Sequence, residues 1–340
     1  MDTASIKRYL SKRFGRASWI WRWTRISSAA LFQMEYWLQY TRGNPSRSFR
    51  ELYIEPVSYC NLRCRWCALD HSKSKKRLDV DIFREALNQI VFDERLQYLR
   101  WIHLHNGGES TLHPNIVEML SLVEKAKEKA LEHGRRFPKV SLLTNGTVGR
   151  WDLLQALKET RAIDVLRISM DGGSPQQYEY IRGRASWGDF SKTARELIAA
   201  VRTNPNAVRV EFISLIEDDQ LPGALRKNRE FADLLGLADD YEVRYNHGWG
   251  GQLEDEPKRL PNPLPWYQRG CRLLLHSLVL LADGYVTVCC ADLNGRGVIG
   301  RFPQERLVDI YMKAKRQWML KKVSEGKNAE VPLCASCEGF

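Results

Sequence analysis

Residues 60–67 read CNLRCRWC, so that three cysteines fall within eight positions. This loop directly follows residues 52–57, a run typical of a strand. Three thiolates in one loop can hold three irons of a four-iron cluster and leave the fourth iron open to a small molecule. A structural zinc ion would need a fourth protein ligand, which His71 could supply. The loop therefore predicts a metal centre, with an iron–sulfur cluster favoured over zinc. The predicted ligands are Cys60, Cys64 and Cys67.

Three further strand-like runs end in short polar segments that contain glycine. The segment GGE occupies residues 107–109, TNG occupies 144–146 and SMDG occupies 169–172. Glycine lets the backbone approach a ligand closely, and a carboxylate suits an ammonium group. Each segment taken alone is an ordinary turn. Their order along the chain, starting from the cysteine loop, predicts one ligand site at the ends of successive strands.

The C-x3-C-x2-C loop, with an aromatic residue before its last cysteine, and these strand ends resemble the radical S-adenosylmethionine (radical SAM) superfamily. In that family the open iron binds the amino and carboxylate groups of SAM, and reduction of the cluster yields methionine and a 5′-deoxyadenosyl radical. The resemblance implies that Cys60, Cys64 and Cys67 bind the cluster and that Trp66 borders the adenine. It assigns the other SAM contacts to Gly107, Gly108, Glu109, Thr144, Asn145, Ser169 and Asp171.

Strand and helix patterns alternate from residue 50 to about residue 250. Helices are predicted at about 79–92, 114–134, 149–160, 187–202 and 224–236, and two later strands at 209–213 and 241–245. Six such units, with polar residues at the strand ends, predict an α/β fold. Its core is a partial, open (β/α)6 barrel, the fold that the resemblance also implies.

A small unit with five cysteines follows the barrel, beyond a glycine- and proline-rich stretch at residues 248–265. It contains a hairpin pattern that turns at Gly284 and a helix predicted at about 303–324. A unit this small needs a staple such as a metal centre, because it cannot build a large core. The cysteines are Cys271, Cys289, Cys290, Cys334 and Cys337.

The spacing Cys271–Gly284–Cys289 resembles the SPASM/twitch domains of radical SAM enzymes. The resemblance implies one auxiliary four-iron cluster, as in the shorter twitch form, because a second auxiliary cluster would need more cysteines. Its ligands would be Cys271, Cys289, Cys334 and Cys337. A zinc ion on the same four thiolates is the alternative. Cys290 is then spare, and we expect it to be buried, with hydrogen-atom donation as the other option.

Composition sets further limits. The chain has 340 residues, of which 44% are hydrophobic and 27% charged, which indicates a globular protein. Its net charge is +11, but the first 50 residues carry ten basic side chains against two acidic ones. The remainder is nearly neutral, which argues against nucleic acid as a partner. We expect three domains: a basic, tryptophan-rich helical extension (1–49), the barrel (50–250) and the auxiliary cluster domain (251–340).

The use of the N-terminal extension is open at this stage. It could cap the bottom of the barrel, contact an anionic membrane surface, grip a phosphorylated or lipid-linked substrate, or serve as a transit peptide. No run approaches the roughly 18 apolar residues of a spanning helix, and no signal-peptide pattern is present. We therefore expect a cytoplasmic protein with reduced thiols rather than disulfides.

The reaction follows from resemblance alone. The domain plan looks most like twitch-type dehydrogenases and epimerases, which implies oxidation or epimerisation at a carbinol carbon of a sugar or cyclitol and a flavodoxin- or ferredoxin-type electron donor. The candidate proton acceptors are Tyr245, His247 and Arg167. Each has a structural alternative: Tyr245 in core packing, His247 in a loop, and Arg167 in an ion pair with a carboxylate.

Two other functions remain open. Many twitch and SPASM proteins modify a ribosomally made peptide, and the extension at 1–49 looks too short for the leader-binding module that they usually carry. An iron–sulfur binding or regulatory protein belongs to a different class. It would release no 5′-deoxyadenosine and would leave the polar strand ends unexplained.

Overall fold

The computed structural model describes residues 19–42, 44–217, 222–245, 248–253 and 270–337. Its strands are β1 (Glu51–Ile54), β2 (Arg63–Cys64), β3 (Trp101–Leu104), β4 (Lys139–Thr144), β5 (Val165–Ser169), β6 (Arg182–Gly183), β7 (Arg209–Ile216), β8 (Asp240–Tyr245), β9 (Ser277–Leu280), β10 (Tyr285–Thr287) and β11 (Val298–Arg301). Nine of them form one sheet in the order β11-β10-β9-β1-β3-β4-β5-β7-β8. The run from β1 to β8 is parallel throughout and is the predicted six-stranded barrel wall.

Helices cover the outer face of this wall. They are α1 (Trp19–Arg42), α2 (Val80–Phe92), α3 (Ile116–Glu132), α4 (Trp151–Leu157), α5 (Pro175–Ile181), α6 (Trp187–Arg202), α7 (Arg229–Leu235), α8 (Arg272–His276), α9 (Leu307–Met312) and α10 (Ala314–Ser324). Side-chain caps begin several of them: Asp79 accepts from the backbone N–H of Asp81, and Ser186 accepts from that of Asp189. The five helices predicted for the barrel are thus present, and α5 is an addition that the sequence pattern did not predict.

The strands present apolar side chains to the helices. Their other face, toward the barrel interior that we call the lumen, carries most of the polar side chains together with some apolar ones. In β1, Leu52 and Ile54 are fully buried in the main core, whereas Tyr53 belongs to a separate cluster with Val279 and Leu281 of the β9 segment. This follows from the two-residue period of a strand, which sends alternate side chains to opposite faces. The lumen is therefore lined by the alternate residues of each strand.

The C-terminal cysteine unit continues the barrel sheet. β9 pairs in parallel with β1, and β10 and β11 add two antiparallel strands at that edge. The helix expected at 303–324 is instead two helices, because Lys313 between α9 and α10 has an extended backbone with ψ of 144°. The predicted hairpin is present, and it turns at Gly284, whose φ of +85° suits glycine. The boundary between barrel and cluster domain stays a prediction.

Helix α1 packs against the barrel and the C-terminal unit. Phe32 is buried, and its ring lies where a Cβ on Gly270 would be, 1.9 Å from the nearest ring atom. Gln33 donates to the carbonyl of Ser324 at 3.2 Å. Glu35 pairs with Arg50 at 2.5 Å. The extension therefore covers part of the core, and no helix in the described residues is long and apolar enough to cross a membrane.

The Glu35 carboxylate should stabilise the fold in a pH-dependent way. Burial alone would raise its pKa, but His276 at 3.3 Å, Arg50 and Ser48 together hold the pKa at about 2. A carboxylate with a depressed pKa stabilises the folded state above its unfolded pKa and loses that effect as the pH falls toward the folded value. We expect Glu35→Gln to lower the free energy of unfolding by about 2 kcal/mol at pH 7.

Denaturant unfolding of the parent and Glu35→Gln, measured from neutral pH down to pH 3, would test this prediction. The difference between the two proteins should shrink as the pH falls below about 4.5, the ordinary glutamate value. Glu128→Gln is the matched control, because the Glu128–Arg161 pair is exposed and should contribute little. A pH-independent difference between the parent and Glu35→Gln would contradict the assignment.

Candidate active site

The cysteine loop leaves β1 and is held by a segment that follows β5. Cys64 pairs with Arg182 across the two-stranded β2–β6 ladder, and the backbone N–H of Arg65 donates to the carbonyl of Ile181 at 2.9 Å. Gly183 permits this ladder, because a Cβ there would lie 2.4 Å from the carbonyl oxygen of Arg63. The ladder thus fixes the path of the loop at the carboxyl ends of the strands.

The three thiols of this loop form a soft donor set in a largely enclosed place. Burial raises the pKa of Cys60 to about 11 and that of Cys67 to about 12, and nearby negative charge adds to both shifts. Burial also raises the pKa of Cys64, although the positive charge of Arg182 lowers it in part. Such thiols become ligands when a cation balances their charge, and soft thiolates suit iron–sulfur clusters. The residues therefore fit the predicted cluster.

A single metal ion would require several ligand side chains to converge on one point. Among the described residues, no three His, Cys, Asp or Glu side chains converge closely enough to hold one metal ion, His71 and the thiols included. In a four-iron cluster each thiolate binds its own iron, so the fit rests on donor type and enclosure instead.

The GGE segment is pressed against the cysteine loop. A Cβ on Gly108 would lie 2.0 Å from the carbonyl oxygen of Val57 and 2.7 Å from that of Tyr59, so only glycine fits. The backbone N–H of Glu109 also donates to Tyr59 at 3.0 Å. The absence of a side chain at Gly108 therefore lets the backbone before the cysteine loop pack directly against the GGE segment.

Glu109 clamps the ends of β3 and β4 together. Its buried carboxylate accepts from both donors of Thr111, at 3.1 Å from N and 2.6 Å from Oγ1. It also accepts from Oγ1 of Thr144 at 2.8 Å and from the backbone N–H of Asn145 at 2.6 Å. These four donors use most of the acceptor capacity of a carboxylate. The predicted contact of Glu109 with SAM stays a prediction, and the structure adds a positioning role.

Asn145 connects the TNG segment to the cysteine loop. Its Nδ2 lies 2.9 Å from Oδ1 of Asn61 and 3.6 Å from Sγ of Cys60, and Asn61 donates in turn to Oγ1 of Thr147 at 2.9 Å. A donor near a ligand sulfur is one means by which a protein tunes an iron–sulfur cluster. Asn61 was missed at the sequence level, because nothing in the loop pattern distinguishes it from its neighbours.

Asp171 forms a buried ion pair with Arg182. Their closest atoms are 2.7 Å apart, and Asp171 also accepts from the backbone N–H of Leu215 at 2.8 Å. Nη1 of Arg182 lies 3.8 Å from Sγ of Cys64. Arg182 was missed at the sequence level. The pair links the fourth strand end to the cysteine loop, and Ser169 ends β5 beside it.

Trp66 is largely buried within the cysteine loop, at 7% exposure. The indole N–H of Trp249 donates to its carbonyl oxygen at 2.6 Å. Trp249 thus ties the segment after β8 to this loop. The predicted contact of Trp66 with adenine stays a prediction.

The C-terminal cysteines form a second thiol cluster. Burial raises the pKa of Cys271 to about 11 and that of Cys334 to about 12, and each is raised further by Cys337. The pKa of Cys289 is also raised, through Cys290, burial and Cys271. Each of Cys271, Cys289 and Cys334 is thus affected by another of the four predicted ligands, and their assignment as ligands stays a prediction. Soft, enclosed donors again fit an iron–sulfur cluster.

Two buried carboxylates accept hydrogen bonds from the segments that lie between the two thiol sites. Asp292 accepts from Oγ1 of Thr287 at 2.5 Å and from the backbone N–H of Gly297 at 2.7 Å, which fixes the loop after Cys289. Glu55 accepts from Gly107 at 2.9 Å and from Ala282 at 3.0 Å. Burial raises the pKa of Glu55 to about 7. Glu55 therefore joins the GGE segment to the hairpin of the second cluster.

The lumen between these regions is polar. The ring of Tyr53 lies 4.5 Å from that of His103 and 5.4 Å from that of His105. Nδ1 of His103 is bonded to Oγ of Ser141 at 2.7 Å. Burial, with the positive charges of Arg167 and Arg244, lowers the pKa of His105 to about 3. Both histidines are therefore neutral near pH 7.

The candidate proton acceptors are placed differently from one another. Arg167 forms a buried ion pair with Glu211 at 3.2 Å, the alternative noted above. Tyr245 packs against the main core on the same face of β8 as Val243. His247 lies outside the described residues. Their proposed chemistry stays untested.

The lumen face of β8 was not singled out from the sequence, whereas Cys290 was noted there as a spare thiol and expected to be buried. Arg244 alternates with Val243 and interacts electrostatically with Tyr53 and Cys290, while 46% of its side chain remains exposed. Cys290 is half-buried and packs on Tyr53 rather than being sealed in the core.

The fold and the two thiol sites define a class: a parallel barrel that carries a SAM-type cluster loop, with an auxiliary cluster unit appended. The family model of the radical SAM superfamily matches residues 54–211, and that of the SPASM iron-sulfur cluster-binding domain matches residues 271–338. The chain belongs to the radical SAM superfamily and carries a SPASM domain. The two domains account for the predicted cofactors, SAM and four-iron clusters.

Two curated relatives resemble part of the chain. A tungsten-containing aldehyde ferredoxin oxidoreductase cofactor-modifying protein of Pyrococcus furiosus is 29% identical over 180 residues, which are 52% of this chain and 47% of the relative. The antilisterial bacteriocin subtilosin biosynthesis protein AlbA of Bacillus subtilis is 30% identical over 145 residues, 42% of this chain and 29% of AlbA. The chain thus spans about half or less of these relatives.

Solved structures show the same fold. BtrN in complex with AdoMet and 2-DOIA has a TM-score of 0.54 and 18% identity, over 85% of this chain and 93% of BtrN. Streptococcus suis SuiB bound to precursor peptide SuiA has a TM-score of 0.62 and 15% identity, over 86% of this chain and 71% of SuiB.

Proposed function

We propose that this radical SAM enzyme takes a hydrogen atom from a small polar substrate held in the lumen and oxidises or epimerises a carbinol carbon of a sugar or cyclitol. The observation that carries the proposal is the polar lumen. Tyr53, His105 and Arg244 line it, and all three can form hydrogen bonds with hydroxyl groups. A substrate dense in hydroxyls suits such walls, since each hydroxyl both donates and accepts.

Oxidation of a carbinol to a ketone removes a hydrogen atom, a proton and an electron. When bound, the clusters and SAM supply the radical that takes the hydrogen atom and an acceptor for the electron. The proton needs a base on the protein. His105 is a hydrogen-bond partner for the reacting hydroxyl rather than a fourth candidate base. Its Nδ1 is buried without a hydrogen bond in the described part of the chain, but a pKa lowered to about 3 disfavours protonation of the ring.

Arg167 is better suited to holding the substrate or the lumen wall than to accepting a proton. A guanidinium keeps its proton in proteins, and the guanidinium of Arg167 is already paired with Glu211. Its guanidinium carbon lies 5.7 Å from the centre of the Trp101 ring, so the cation also contacts the face of that ring. Its proposed contribution is therefore to fix polar groups beside His105.

Peptide modification is the second candidate function. It is supported by the partial likeness to AlbA, a bacteriocin biosynthesis protein, and by the fold shared with SuiB. The chain spans 71% of SuiB but 93% of BtrN. The two candidates differ in substrate size, which an experiment can separate.

The test is release of 5′-deoxyadenosine by the anaerobically reconstituted, reduced protein. Extract of the producing cells is divided by size into a small-molecule fraction and a macromolecular fraction, and each is added separately. We expect the small-molecule fraction to stimulate release, because the side chains that line the lumen can form hydrogen bonds with a small polar compound.

Three other outcomes would redirect the proposal. Stimulation by the macromolecular fraction alone, abolished by protease, would favour peptide modification. Stimulation that survives protease and fails with small molecules would exclude both candidates. Release at background level, in protein with its iron confirmed, would favour an iron–sulfur binding or regulatory role. Protein that lacks Cys60 by substitution with alanine sets that background.

A further inference from the structure

Helix α1 carries a line of large, exposed apolar side chains, which we call the tryptophan stripe. Its members are Trp19, Trp23, Leu31, Met34 and Trp37, with exposures of 69%, 62%, 40%, 55% and 62%. At 100° per residue these positions fall within an arc of about 120°, and they extend about 27 Å along the helix. The stripe is therefore one continuous face and not a set of scattered residues.

The opposite face of α1 is fixed to the protein, so the stripe cannot turn inward. Phe32 is only 1% exposed and stacks on Tyr36 at 5.8 Å. Gln39 is buried and hydrogen-bonded to Ser48. Glu35, on the same face, pairs with Arg50. These contacts fix the rotation of α1 about its own axis and leave the stripe facing solvent.

Such a concentration is confined to this helix. Each other helix in the described part of the chain has at most one exposed large hydrophobic side chain, such as Leu131 on α3 or Trp151 on α4. Single exposed apolar residues are ordinary, whereas a contiguous apolar face marks an interaction surface. The stripe is therefore a candidate interaction surface.

Charge decides which partner fits. The first 50 residues carry ten basic side chains and two acidic ones, and Arg50 and Glu35 neutralise each other on the docked face. The segment keeps its positive net charge, and a second copy would carry the same charge, which disfavours self-association. An anionic lipid surface attracts basic segments, and tryptophan prefers the boundary between lipid headgroups and acyl chains.

We propose that the tryptophan stripe docks this enzyme onto an anionic lipid surface. Helix α1 lies in the plane of the interface with the stripe facing the acyl chains. The three indoles supply apolar area together with an N–H that can bond to lipid oxygens. This inference is independent of the proposed substrate.

Vesicle flotation with the full-length, reconstituted protein tests the inference. One set of vesicles contains phosphatidylcholine and phosphatidylglycerol in equal amounts, and the other contains phosphatidylcholine alone. We expect the protein to float with the anionic vesicles at low salt and to bind less as salt increases. The triple substitution Trp19→Ser, Trp23→Ser and Trp37→Ser should weaken binding about tenfold or more.

The matched control replaces two exposed tryptophans elsewhere, Trp151→Ser and Trp318→Ser. It should float like the parent protein. SAM cleavage without vesicles should be unchanged in both variants, which verifies that each is folded and loaded.

Several results would overturn the inference. These are binding that the triple substitution leaves intact, equal loss in the control, or no flotation with either set of vesicles. Self-association that disappears in the triple variant, without vesicle binding, would assign the stripe to a second copy of the chain instead.

Discussion

Cys64→Ala is expected to abolish SAM cleavage, with 5′-deoxyadenosine release falling roughly a thousandfold or more. Cys64 sits in the β2–β6 ladder between the other two cysteines of its loop, and its Sγ lies 3.8 Å from Nη1 of Arg182. Alanine removes the thiolate while leaving the backbone ladder in place. The reconstituted protein should also lose about half its iron, because the auxiliary site remains.

Cys290→Ala is the matched control for this loss. Cys290 is half-buried like Cys64 but is not one of the predicted ligands. It should keep the iron content of the parent protein. Iron and sulfide analysis, with the electron paramagnetic resonance spectrum of the reduced protein, separates the two sites. If Cys64→Ala kept its iron and its SAM cleavage, the assignment of the first thiol site would be wrong.

Much of the fold was predictable because it rests on local patterns. The alternation of strands and helices predicted the six-stranded wall, and the polar strand ends predicted which edge carries the site. These signals depend on the periods of the strand and the helix and on turn residues, all of which are visible in a single sequence. The spacing of the first three cysteines predicted a metal centre, whereas the ligand set of the second thiol group followed from the resemblance to SPASM/twitch domains.

The contacts inside the site were not predictable in the same way. Glu109 was assigned from its carboxylate, but its four donors come from Thr111, Thr144 and Asn145 and depend on how two strand ends meet. Asp171 was expected at the site, whereas its partner Arg182 follows α5, a seven-residue helix. Ser174 and Pro175, a capping residue before a first-turn proline, were a signal for that helix.

The phase of β8 was the other uncertain point. The run YEVRY at residues 241–245 has polar and aromatic side chains on both faces, so its period does not reveal which face lines the lumen. The structure turns Val243 and Tyr245 toward the core and Arg244 toward the lumen. In the structure this orientation goes with the register of β8 on β7, in which Val243 pairs with Ser214.

Arg182→Ala is expected to be the most destabilising single substitution in the site, at about 3–5 kcal/mol. Arg182 and Asp171 expose only 11% and 3% of their side chains, and burial already raises the pKa of Asp171 against the charge of Arg182. Without the guanidinium, the carboxylate is left buried and unpaired. Arg161→Ala is the matched control, because its pair with Glu128 is exposed and contributes little.

A second variant separates stability from chemistry at this pair. Arg182→Met combined with Asp171→Leu removes both charges, and replacing a buried ion pair with apolar residues often restores stability. We expect unfolding to recover most of the loss, while the cluster becomes harder to reduce, because the positive charge beside Cys64 that favours the reduced state is gone. Thermal unfolding and a redox titration of the reconstituted proteins measure the two effects. Recovery of stability with an unchanged reduction potential would restrict Arg182 to a purely structural role.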